Sequence, residues 1–87
     1  MPKFTYPIVF IFNEIDGRYN GFVPDLSIFS EGEKVEDVYS FAEELVEKYF
    51  ELALEHDIDF PEPSSLEDVA NKWQGFKVSL LTANIKQ

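Results

Sequence analysis

Glu43, Glu47, Glu51 and Glu55 recur every four residues through the segment FAEELVEKYFELALE. On a helix, residues four apart are surface neighbours, so this spacing builds one acidic ridge along the outer face. Like charges placed this way oppose one another by roughly 0.2–0.5 kcal/mol per pair. A basic partner landing on the ridge would relieve that repulsion and be steered towards it. The plainer reading is a solvated face that keeps the chain soluble. Lys48 stands within reach of Glu44 and Glu51 but outside the ridge.

The other groups that could do chemistry do not converge. A metal-dependent nuclease needs several carboxylates around divalent ions about 4 Å apart. Asp25 at a strand end and Asp16 in a turn do not supply that set, and aspartates in such places ordinarily bond their own backbone. His56-Asp57-Ile58-Asp59 offers one histidine and two acids in a linker, a poor metal site. A histidine at a helix C-terminus has the simpler role of meeting the helix dipole. With a single His and no Cys, thiolate metal sites, disulfides and Cys nucleophiles are excluded. No phosphate-binding glycine motif, nucleophile elbow or zinc-protease helix is present. The expectation is a protein that is not an enzyme and takes no cofactor and no metal.

The acidity belongs to one segment. Residues 31–68 carry fourteen acids against Lys34 and Lys48, whereas residues 69–87 carry three lysines and no acid. A net charge of −10 argues against direct nucleic-acid binding, which needs a basic surface to neutralise phosphates. Phe10, Phe12, Phe22, Phe29, Tyr39, Tyr49, Phe50 and Trp73 are candidates for a base-stacking platform. They alternate with apolar residues rather than with Lys or Arg, so core and dimer packing is the better reading. No signal-peptide pattern opens the chain, and no apolar run approaches the roughly 20 residues that span a bilayer. A cytoplasmic protein without membrane contact is expected.

At 87 residues, 45% apolar, the chain makes one small domain, residues 1–87. Phe4 to Phe12, FTYPIVFIF, reads as a strand apolar on both faces. Its Pro7 either lies at an edge or precedes the regular pairing. Asn13 to Gly17 turns the chain, and Arg18 to Val23 returns as a second strand. Gly21 inside it marks a bulge or a close backbone approach. Ile28 to Ser30 is a short third strand. From Val35 to about Glu55 apolar residues follow helical spacing, at 35, 38, 39, 42, 45, 46, 49, 50, 53 and 54. Ala42, one of its two alanines, marks close approach to the sheet. His56 to Ser65 is a linker. Ser64 with Glu67, or Ser65 with Asp68, caps a short helix ending near Lys72. Phe76 to Ile85 is the last strand.

The fold class is α+β: a three-stranded antiparallel meander, one long helix and a final strand. The helix covers one face of the sheet, and the other face is expected to lie bare. A homodimer or tetramer follows, with Leu80, Leu81 and Ile85 as a strand-pairing contact.

Tyr6-Pro7-Ile8-Val9-Phe10, Gly17 to Val23, Val23-Pro24-Asp25-Leu26, and Glu31-Gly32 before Val35-Glu36-Asp37-Val38 resemble, in order and spacing, the N-terminal domain of HicB-type antitoxins. The Pro61 to Ser65 linker and the strand after it fit the same pattern, so the resemblance covers nearly the whole chain. It implies a β-β-β-α-β unit with a partial RNase H-like fold and no nuclease activity. It also implies a small basic toxin as partner, an mRNA interferase of the HicA type, which the domain masks. The chain departs from the family pattern where Ser27-Ile28 stands in place of a frequent Pro-Gly pair, and where Lys34 replaces a Ser or Thr helix cap. Many members carry a further C-terminal DNA-binding domain. The expectation for residues 1–87 is a domain without one, acting as an antitoxin. The alternative is a self-associating structural or regulatory domain with no toxin partner.

Overall fold

The computed structural model describes the backbone of residues 3–84 and the side chains of residues 5–83. The order is β1 (Lys3–Asn13), β2 (Arg18–Val23), a 3-10 turn (Pro24–Leu26), β3 (Ile28–Gly32), α1 (Val35–Glu55), α2 (Leu66–Lys72) and β4 (Lys77–Asn84). The strands form one antiparallel sheet in the order β3-β2-β1-β4. This is the α+β meander, helix and returning strand that the sequence predicts. β3 runs two residues further than expected, and β4 begins one residue later than Phe76.

Local chemistry accounts for most boundaries. Gly17 takes φ of 69° in the hairpin turn, where a side chain would be strained. The Asn13 and Asp16 side chains accept backbone N–H bonds from Ile15 and Arg18. Pro7 precedes the β1–β2 ladder, which starts at Val9, but it is not at an edge and stands within the β1–β4 ladder opposite Leu80. Lys34 precedes α1 without a side-chain cap, while Glu36 and Asp37 meet the positive end of the helix dipole. α1 ends with Asp57 at φ 55° and bonds from the Ile58 and Asp57 N–H groups back to the Ala53 and Leu54 carbonyls. That is a Schellman closure, with an aspartate where glycine is usual. Ser65 caps α2 by accepting from the Asp68 N–H.

The main core lies between α1 and one sheet face. Tyr6, Ile8 and Phe10 of β1, Val23 of β2, and Leu81 and Ala83 of β4 meet Val38, Ala42, Val46 and Phe50. The helical stripe is narrower than its spacing suggests, because Leu45 and Leu54 remain exposed. Gly21 is a close approach and not a bulge. A Cβ there would stand 2.5 Å from Val38 Cγ1 and 2.8 Å from Ser30 Oγ. The buried Ser30 hydroxyl donates to the Val38 carbonyl at 3.0 Å, which ties helix to sheet at this point.

The expectation of a bare second face needs correction. Pro7 and Val9 point away from α1, yet both are buried. α2 packs there, against β4 and β1, with Val69 buried and Trp73 edge-on to Phe22 at 5.6 Å. A helix of seven residues covers only part of a four-stranded sheet, so the second layer is thin.

Candidate functional site

α1 carries seven acids and one base, Lys48. Among the described residues the ion pairs are those of Arg18, with Glu31 at 3.1 Å and Glu33 at 3.9 Å. None of these reaches an acid of α1, whose charge is offset within the helix by Lys48 alone. Glu43 and Glu47 are half-buried, whereas Glu51 and Glu55 are exposed. The ridge is therefore not a straight line on the outer face. With 3.6 residues per turn, each step of four overshoots a full turn by about 40°. The four glutamates wind from the flank of the packed stripe out to solvent.

One flank of α1 reaches the free edge of the sheet at β4. Tyr39, one turn before Glu43, donates its hydroxyl to the Leu80 carbonyl of β4 at 3.3 Å. A shallow groove lined by Phe10, Val35, Glu36, Tyr39, Lys77 and Ser79 runs between helix and strand. Glu43 and Glu47 follow Tyr39 at steps of four, each turned about 40° further from the packed stripe. An edge strand with unpaired backbone groups and an acidic eave can take a basic, extended segment by adding a strand, with charge steering the approach.

The expected strand-pairing contact divides. Leu80 is exposed on the sheet face opposite α1. Leu81 is fully buried in the main core, so its side chain cannot serve as an oligomer contact; alternation along β4 turns it inward. Ile85 lies outside the described residues.

Two features escaped sequence reasoning. The first is a latch on the linker between the helices. Asp25 accepts the Ser64 hydroxyl at 2.6 Å and the Ser64 N–H at 2.9 Å. Tyr6 donates to the Pro61 carbonyl at 2.6 Å, and Phe60 packs edge-on against Phe50 at 4.7 Å. Burial, followed by the nearby Asp25 charge and Tyr49, raises the Tyr6 hydroxyl above its ordinary 10.0. Asp25 therefore holds the linker between the helices. The Ser64-Ser65 doublet was its only trace: one serine caps α2, leaving the other available. The second feature is an aromatic row on the α2 face, whose Phe22, Phe29 and Trp73 the sequence offered without showing that they lie side by side. Phe29 stacks on Phe22 at 4.5 Å, Phe22 meets Trp73, and Trp73 meets Phe76 at 6.1 Å. Among the described residues no group of three or more His, Asp or Glu is placed to hold a metal, and no helix is long and apolar enough to cross a membrane.

The fold has solved relatives. The N-terminal domain of Burkholderia pseudomallei antitoxin HicB superposes with a TM-score of 0.82 at 21% identity, over 93% of this chain and 99% of that one. The longer Burkholderia pseudomallei antitoxin HicB also scores 0.82, at 22% identity, covering 97% of this chain and 64% of that one. A HicA3 and HicB3 toxin–antitoxin complex matches at 0.61 and 25% identity, over 95% of this chain and 99% of that one. A search of curated proteins found no match. The family model for HicB-like antitoxins of bacterial toxin–antitoxin systems matches residues 6–87, nearly the whole described sheet and both helices, and the chain therefore belongs to that family.

Proposed function

We propose that this chain is an antitoxin that neutralises a small basic HicA-type mRNA interferase in the cytoplasm by stoichiometric masking, without enzymatic activity of its own. One observation carries the reading: α1 carries seven acids against Lys48, among the described residues no ion pair reaches them, and Glu36 lines the groove beside the free β4 edge. A surface that repels itself gains most from a cationic partner. The solved HicA3 and HicB3 complex supports a toxin as that partner.

Co-expression with a small basic HicA-type protein tests the proposal. Growth should be restored by the wild-type chain, and Glu43→Lys with Glu47→Lys should weaken the complex at least tenfold at low salt. Failure of the wild-type chain to restore growth would remove the antitoxin reading. Unchanged affinity of the double variant would remove the acidic flank from the interface.

A further inference from the structure

We infer that the flank of α1 turned away from β4 docks a cationic amphipathic helix of a partner protein, seated on Phe41, Leu45 and Leu52. These side chains are 50%, 44% and 51% exposed, beside the buried stripe of Val38, Ala42, Val46 and Phe50. With 3.6 residues per turn they fall within about 40° of one another, about 60–100° to one side of Ala42, whereas Tyr39 stands about 60° to the other. Single exposed apolar residues are ordinary, but these three form a line at i, i+4 and i+11, with Lys48 at i+7 in the turn between. The line runs for about 16 Å, or three turns, the length over which a docked helix sets its anchors. Asp37 lies on the same flank, where a Cβ on Gly32 of β3 would stand 3.0 Å from Asp37 Cβ. Since β3 is an edge strand, no further strand lies beyond it to cover the line.

Charge selects the occupant. Asp37, Glu44, Glu51 and Glu55 border the line on its solvent side, all exposed, against the one cation Lys48. A shallow hollow lined by Glu44, Leu45, Glu47, Lys48 and Glu51 opens beside the line. An ammonium or guanidinium next to the partner's apolar anchors can enter that hollow and meet three carboxylates. A second copy of this chain would set the same acids against these. A helix with Lys or Arg flanking an apolar stripe matches both the line and its rim. The inference rests on the reading of a basic partner and adds to it a second, apolar contact, on the opposite side of α1 from the β4 groove.

The probe is a Leu–Lys peptide of about 18 residues patterned as an amphipathic helix, with a scrambled peptide of the same composition as control. Both carry the same charge, so a difference between them reads the apolar line. Calorimetric titration of the full chain should show the patterned peptide binding at least tenfold tighter. Leu45→Ser with Leu52→Ser should remove that preference and leave the circular dichroism spectrum unchanged, since both side chains lie outside the core. Glu43→Lys, on the β4 side, should keep it. Equal binding of the two peptides by the wild-type chain, or a preference that survives in the double variant, would overturn the proposal. A smaller solution mass for the double variant than for the wild-type chain would also overturn it, by giving the line to a second copy. Failure to restore growth in co-expression strikes the toxin reading alone and leaves these peptide outcomes unchanged.

Discussion

The two faces of the sheet are built to different depths. Against one face α1 lays twenty-one residues, burying Val38, Ala42, Val46 and Phe50 on Tyr6, Ile8 and Leu81. Against the other, α2 brings seven, with Val69 as its buried residue. The first face is held by apolar burial, which is insensitive to any one polar contact. The second depends on how the linker is held, because the short helix has little buried surface of its own. The thick layer turns its acids outward, and the thin one leaves aromatic rings uncovered.

Truncation on each side tests that contrast most strongly. Phe50→Ala should cost about 3–5 kcal/mol in urea unfolding, and Val69→Ala about 1–2 kcal/mol. Equal costs would show that the second layer is no thinner in energy than the first. Next in size is the latch. Asp25→Ala removes two bonds to a carboxylate and should cost about 1.5–3 kcal/mol. Hydrogen exchange should then speed up in α2 and the linker while α1 keeps its protection. Uniform loss of protection would mean that the two layers open as one unit.

The smallest effect is one of pH. The folded chain keeps Tyr6 protonated above the ordinary 10.0, whereas the unfolded chain releases that proton near its usual value. The contribution is complete below pH 10.0 and is lost as pH rises through the folded value. The urea midpoint of the wild-type chain should therefore fall more steeply above that pH than that of Tyr6→Phe. Parallel curves would show that the Tyr6–Pro61 contact does not couple to titration.

Much of this organisation was legible in the residues. The bounds of β2 and α1 follow from period-two and period-3.6 patterning, because those periods reflect backbone geometry within one element. The hairpin turn and the α2 cap follow from side chains that bond within a few residues of themselves. Gly21 was legible as an anomaly, and its cause became clear only when Val38 and Ser30 were placed beside it. The family pattern pointed to the fold because it spreads over nearly the whole chain.

What the sequence by itself determined was the set of elements, their main-core faces and the segment that owns the acidity. Tertiary structure decided how the acidic ridge winds from the packed flank out to solvent, that α2 crosses to the second face, that Asp25 grips Ser64, and that Leu81 points inward beside an outward Leu80. Residues 25 and 64 are far apart along the chain, and neither carries a local pattern for the other. Periodicity names two faces of a strand, but only the packed layers decide which of them is covered.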